Sequence, residues 1–263
     1  MPNLRQFYLC LSLLFLGSCA TDIDFKIPLN RFETPETQGD FPRGEAEVYF
    51  NDAVKITTAE VYENVVFGSS AATVDTEASM IDSGQYGVGF RMGLLSRLDF
   101  FLKDFSDSIS GMGLKFQLYG SPQSAAERGF KLAVAGSYGL MDQEDGSLKI
   151  VKAGEERTYD TNININSFDV NLIPGFRVSE VLLVYMNLFY SEYETISTLT
   201  SNQFGDISIK GRVTSYGALT GIQIAKAPVS GSLKVEVGYG HTEWQNQIKL
   251  DSFVWGLAGG INW

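Results

Sequence analysis

Beyond residue 43, apolar side chains recur at every second position, and this period narrows the possible folds more than any other feature of the chain. Tyr86, Val88, Phe90, Met92 and Leu94 alternate with Gln85, Gly87, Gly89, Arg91 and Gly93. Leu98, Phe100 and Leu102 alternate with Asp99 and Lys103, and Met112, Leu114, Phe116 and Leu118 alternate with Gly113, Lys115, Gln117 and Tyr119. The pattern returns in Phe130–Tyr138 and in the stretches 182–190, 216–224, 233–239 and 253–263. Successive side chains of a strand point to opposite faces, so each segment has one apolar face and one face of polar residues or glycine. With two less regular segments near 44–57 and 161–176, the expected set is about ten strands of roughly 6–16 residues. That range brackets the 9–11 that cross a bilayer at a tilt.

A soluble sandwich would alternate too, but three observations favour an all-β, antiparallel transmembrane barrel. Nearly every segment sets an apolar face against a polar or glycine face, as expected for lipid outside and a polar lumen inside. Numbering the strands alternately up and down from the periplasm puts Tyr86, Tyr138, Tyr190, Tyr216, Tyr239 and Trp255 toward the outer ends, all on the lipid face. Such rings, apolar in body and polar at the edge, form the aromatic girdle of a membrane interface. Connections also alternate in length: 95–97, 177–180 and 226–230 are short, whereas 58–83, 142–160 and 195–206 are long. Short inner turns and long outer loops fit a transmembrane barrel; only 120–128 is long for an inner turn. An even strand count returns the C-terminus to the side on which the N-terminus is expected. Between 161 and 176 the apolar parity changes from Ile163 and Ile165 to Phe168, Val170 and Leu172. This implies either a bulge near Asn166 or a strand that rises beyond the bilayer.

The N-terminus carries a second membrane signal. Arg5 precedes an apolar stretch from Phe7 to Phe15, too short to span a membrane as a helix, and Leu16-Gly17-Ser18-Cys19 follows. That tetrapeptide resembles the lipobox of bacterial lipoproteins. The resemblance implies removal of residues 1–18, thioether lipidation of Cys19 and acylation of its amine, for instance with palmitate. Ala20 stands where an aspartate commonly retains lipoproteins at the inner membrane, and so permits export outward. Residues 19–42, with three of the chain's seven prolines, read as a lipidated tether, and 43–263 as the barrel. The terminal Trp263, on the lipid face of its strand, resembles the signal by which outer-membrane proteins are recognised for barrel assembly. Together these features resemble lipid-anchored outer-membrane β-barrel proteins of Gram-negative bacteria. The partners implied are outer-membrane lipid and the lipoprotein-processing and barrel-assembly machineries.

Loss of the signal removes Cys10, leaving one cysteine and so no intramolecular disulfide. It also removes Arg5, taking the formal charge from −11 to −12, which argues against nucleic acid as a partner. Inward positions carry Lys55, Arg91, Lys103, Lys115, Lys131 and Lys234 against Glu45, Glu47, Asp99, Asp169 and Glu236. A barrel this narrow is filled by its own side chains, and mixed charges in it should pair. Pairing across the 95–97 turn would make Arg91 and Asp99 diagonal neighbours. Ten-stranded omptin proteases use Asp and His residues near the outer rim. Here the single histidine, His241, shares the lipid-facing parity of Val237 and Tyr239, which argues against catalysis. Acidic residues Asp142, Glu144 and Asp145 could offer oxygen ligands to Ca²⁺ but lack the full EF-hand pattern. No cofactor or metal is expected. The expected role is a structural or surface-interaction protein with the long loops as its binding surface; the alternative is a narrow, porin-like channel for small solutes.

Overall fold

The computed structural model describes residues 24–57, 66, 79–152, 154–225, 231–245 and 248–263. In chain order the strands are β1 (Asp24–Pro28), β2 (Gly44–Thr57), β3 (Ser79–Leu95), β4 (Leu98–Phe105), β5 (Ser110–Tyr119) and β6 (Gly129–Lys152). There follow β7 (Glu155–Arg177), β8 (Leu182–Thr200), β9 (Ile207–Ala225), β10 (Gly231–Trp244) and β11 (Ile248–Asn262). From β2 to β11 each strand pairs antiparallel with the next, and β11 pairs back onto β2. The result is a closed ten-stranded transmembrane β-barrel. Closure leaves no continuous sheet edge in the hydrocarbon, which is why alternating strands of this kind can span a bilayer.

The inner end of the barrel holds the Ser96-Arg97 turn, the 120–128 connection, the 178–181 turn and the C-terminus. There Gly44 and Trp263 exchange backbone hydrogen bonds of 3.0 and 3.2 Å. At the outer end, β6 and β7 run on as a hairpin of 24- and 23-residue strands, paired from Gly129↔Arg177 to Lys152↔Glu155. Residues 142–160, expected as a loop, are therefore mostly paired strand. The expected loop 195–206 likewise begins only after Thr200. In both cases the lipid-facing alternation ends before backbone pairing does. Most of 58–78, the short connection 226–230 and the whole of 1–23, Cys19 included, lie outside the described residues.

Strand β7 shows why the pattern ends early. It pairs with β8 without a register shift from Asp160↔Thr200 to Leu172↔Leu188, so there is no bulge at Asn166. Odd-numbered residues point inward throughout. Near the outer end the interior is apolar, and Ile163 and Ile165 are buried in it. Lower down the exterior is apolar, and Phe168, Val170 and Leu172 are exposed there. The parity change marks the strand leaving the bilayer. The same inversion occurs on β8, where Leu188 and Tyr190 face outward below and Tyr193 and Leu199 inward above.

The largest departure from expectation is the N-terminal segment. Residues 20–42 are expected as a tether, but from Asp24 onward the chain runs down the inside of the barrel. Strand β1 lies along the outer half of β2, with Asp24 opposite Thr57 and Pro28 opposite Ala53. Below it, Leu29, Phe32, Glu33, Thr34, Glu36 and Thr37 are fully buried. The segment leaves at the inner end, where Gln123 donates to the Thr37 carbonyl (2.8 Å) and Thr37 donates to the Ser96 carbonyl (2.8 Å). Asp24 and Trp263 thus lie at opposite ends, so the expectation of both termini on one side does not hold for the described chain. The 120–128 connection is long because it closes the inner mouth: Gln123 is buried and its amide also donates to Asn262 (3.3 Å). Glycines of the wall make room for this thread. A Cβ at Gly93 would lie 1.8 Å from the Gly39 carbonyl oxygen, and one at Gly256 would lie 2.7 Å from both Asn30 and Phe32.

Candidate functional site

The lumen of the membrane-spanning half is a buried polar network with wall and thread as its two sides. Glu33 of the thread stands at its centre. Its carboxylate meets Arg91 (3.0 Å), Lys103 (2.8 Å) and Lys115 (3.8 Å). Arg91 also binds Glu45 (2.7 Å), and Lys234 joins Glu45 (3.0 Å) to Glu47 (2.5 Å). Toward the inner end, Lys115 pairs with Asp99 (3.3 Å) and donates to the Glu36 carbonyl (2.7 Å). Asp99 accepts the backbone N–H of Gln38 at 3.0 and 3.1 Å. Glu36 is gripped by Arg177 through two nitrogens and lies 3.6 Å from Lys131. Toward the outer end, Arg31 pairs with Asp169 (2.9 Å), donates to Ser191 (2.6 Å) and stacks over Phe189 at 4.0 Å. The Glu236 carboxylate caps the thread backbone, accepting from the N–H groups of Arg31 (2.9 Å) and Phe32 (2.8 Å) as well as from Asn187 (2.8 Å).

Most inward charges named from the sequence meet in this network, but their partners differ from those expected. Arg91 bonds to Glu33 and Glu45, and Asp99 to Lys115 and Gln38, so the diagonal Arg91–Asp99 pair is not formed. Lys55 is outside the network; β2 turns inward beyond Asp52, and Lys55 pairs with Asp24 at the outer mouth. A buried charge requires a compensating partner. Glu33 and Glu36 provide for cations that the wall alone would leave short of anions.

Above the network the interior changes character. Phe25, Ile27 and Leu29 pack with Val54, Ile56, Tyr159, Ile163, Tyr193, Val213, Trp244 and Val254 into an apolar core. The thread's outer part is the centre of that core, so each mouth is closed by a different chemistry.

On the outside, Tyr86, Tyr138, Tyr190, Tyr216, Tyr239 and Trp255 all expose their rings. Tyr190 lies directly opposite Tyr216, and Tyr239 packs edge-on against Phe253 at 5.5 Å. The outward residues just beyond them are Glu192, Arg212, Glu243 and Asp251. This step from aromatic to charged sets the outer membrane boundary. At the inner end, Trp263 packs against Phe90 (5.7 Å), Tyr119 packs against Phe130 (5.9 Å), and the Trp263 indole donates to the Pro42 carbonyl (3.0 Å).

No protein-family model and no curated protein sequence matches the chain. Several solved barrel structures resemble it distantly. One is Ail, the attachment invasion locus protein of Yersinia pestis, solved with the heparin analogue sucrose octasulfate. It is 11% identical, with 84% of this chain and 98% of that one covered, at a TM-score of 0.36. A second is Neisserial surface protein A, 12% identical, covering 84% and 94% at a TM-score of 0.29. A third is the β domain of the Bordetella autotransporter BrkA, 10% identical, covering 84% and 98% at a TM-score of 0.37. The fold assignment rests on the strand pairing described above, and likeness at this level adds no statement about activity.

His241 lies on the outer surface among polar groups. Its Nδ1 is 2.6 Å from Asp251, and its ring packs against Tyr216 at 4.9 Å. Of the acidic residues at 142–156, Asp142 accepts from Asn162 (3.2 Å) and Glu156 pairs with Lys149 (2.8 Å). On the wall, sequence reading missed Arg177, which it placed in the 177–180 turn; in the thread it missed Arg31, Glu33 and Glu36. The thread residues sit in a segment without periodicity, and the available signal was charge: three ionisable residues within six positions, ahead of a barrel whose inward face is rich in lysine and arginine.

Proposed function

We propose that the protein is a lipidated outer-membrane barrel of a Gram-negative bacterium that serves as a closed mount for its outer hairpins. Its role is structural or surface-interacting, and it is neither a conduit nor an enzyme. The observation that supports this reading is the lumen, in which residues 29–38 are buried, with a small pocket beside them lined by Asn30, Arg31, Lys103 and Asp169. In the membrane zone the filling is tied by ion pairs, and removing a partner from a buried pair costs far more than leaving it in place. A channel would need this segment to leave, breaking the Glu33 and Glu36 contacts together. The outward apolar band, the girdle and the terminal Trp263 support placement in the outer membrane through barrel assembly. The lipobox supports acylation at Cys19. The hairpin of β6 and β7, which extends farthest past the girdle, is the natural surface for a ligand.

Planar-bilayer recording tests the reading. The wild-type protein is expected to give no steady conductance, and a variant lacking residues 29–38 is expected to give discrete openings if it folds. Large, stable wild-type channels would promote the narrow-channel reading instead. Lipidation is tested separately: the Cys19→Ala precursor should fail to incorporate labelled palmitate, whereas Cys10→Ala should incorporate it.

A further inference from the structure

The direction of the thread has a consequence for where the lipid is. We infer that the N-terminus enters the barrel from its outer mouth, so the acyl chains on Cys19 lie in the outer leaflet, on the cell-surface side. This rests on the proposed lipidation of Cys19. The thread also fixes a polarity that a flexible periplasmic tether would not have.

The polarity follows from contacts at both ends. Asp24 lies opposite Thr57 and pairs with Lys55 at the outer mouth. The β1 backbone is held on its second side as well, since Lys26 donates to the Asp107 carbonyl (2.9 Å) and Ser108 donates to the Lys26 carbonyl (2.7 Å). Residues 106–109 join β4 to β5 at the outer end, away from Trp263. The Phe25 ring packs on Trp244 at 6.4 Å. Trp244 ends β10, a 14-residue strand that begins at the inner end with Gly231 opposite Ile261. At about 3.3 Å per residue and a tilt of about 45°, Trp244 is roughly 30 Å from the inner rim along the barrel axis.

Chain length then decides the leaflet. Phe25 is six positions after Cys19. Fully extended, that span reaches at most about 22 Å. The inner leaflet boundary, at the rim near Trp263, is beyond that reach. The direct path to it is also closed by Leu29, Phe32, Glu33 and Gln123, all buried in the lumen. The outer boundary is within reach: Tyr239 lies five positions before Trp244 on β10, about 12 Å along the axis at the same rise and tilt. A lipid at Cys19 can turn back into the outer leaflet and nowhere else while the thread is in place. The thread would then hold the barrel and its lipid as one body, with ion pairs inside and acyl chains outside.

The test uses epitope-tagged full-length protein on intact cells. One tag is inserted between Thr21 and Asp22, one at Gly205 in the outer turn of β8 and β9, and one at Glu127 in the inner connection. Each protein is checked for heat-modifiable gel mobility and for palmitate incorporation. The N-terminal and Gly205 tags are expected to bind antibody on intact cells, and the Glu127 tag only after permeabilisation. A palmitate-labelled, folded protein whose N-terminal tag is protected until permeabilisation would overturn the inference while leaving lipidation intact. Loss of palmitate labelling on a protein with an exposed N-terminal tag would instead remove the lipidation reading, and the outer-leaflet lipid with it. Should the tag itself prevent folding, Asp22→Cys probed with a membrane-impermeant maleimide gives the same readout. Labelling on intact cells is expected, and labelling only after permeabilisation would overturn the inference.

Discussion

The barrel has two halves built on opposite rules. In the membrane-spanning half the exterior is apolar and the interior polar and charged: Val88, Phe90, Leu114, Val170 and Leu172 face out while Arg91, Lys115, Asn171 and Lys234 face in. In the outer half Ile163, Ile165, Tyr193 and Val213 face in, while Asn164, Glu194, Lys210 and Arg212 are exposed outside. Strands β7, β8 and β9 serve both halves without a register shift between β7 and β8 or between β8 and β9. What changes is the solvent. Lipid favours an apolar exterior and leaves the interior to polar groups, whose buried charges are paired, whereas water favours the arrangement of a soluble β-barrel. One peptide segment completes both halves, giving apolar side chains to one and charges to the other.

Removing the thread's central charge should break the membrane half most severely. Glu33→Ala leaves Arg91, Lys103 and Lys115 with less compensation in a buried space, and we expect a loss of about 3–5 kcal/mol. Urea unfolding followed by heat-modifiable mobility would measure it; a wild-type midpoint would show that the network does not hold the barrel together. Truncation of the outer core is expected to follow. Ile165→Ala should cost about 2–5 kcal/mol through lost burial and a cavity, with no effect on the charged lumen.

Charge placed outside should separate the halves. Phe90→Arg puts a cation on the lipid face and should cost roughly 2–4 kcal/mol. Glu194→Arg has the same outward direction above the girdle and should cost no more than about 1 kcal/mol, from like charge opposite Arg212. Equal effects at the two positions, read from the same unfolding curves, would mean that the membrane boundary is misplaced. An effect as small is expected at the tip of the outer hairpin. Lys149 and Glu156 pair at 2.8 Å with both side chains more than half exposed. Lys149→Ala should cost only about 0–1 kcal/mol, and less as salt is raised.

The wall of the membrane half was legible in the sequence because lipid imposes a strict period of two, and the girdle positions and inward charges follow from parity. The outer half was hidden for the same reason. Where the sense of the alternation inverts, as at Asn162–Ile165 with asparagine outside and isoleucine inside, a parity read for lipid no longer says which face is inside, and long paired strands read as loops. The thread was the least visible element. Its residues touch the wall across separations of tens of positions to well over a hundred, as in Glu33 with Arg91 or Glu36 with Arg177. Local periodicity carries no trace of such contacts.

The amino-acid order by itself determined that this chain forms a closed, aromatic-belted barrel, because strand alternation against lipid is a local property of ten separate segments. Only the tertiary structure decided what fills the barrel and from which end. The filling depends on charge compensation among residues far apart in sequence, and its direction depends on β1 pairing with β2 at the outer mouth. Both are set by which buried group meets which, a question that burial poses only after the wall has closed.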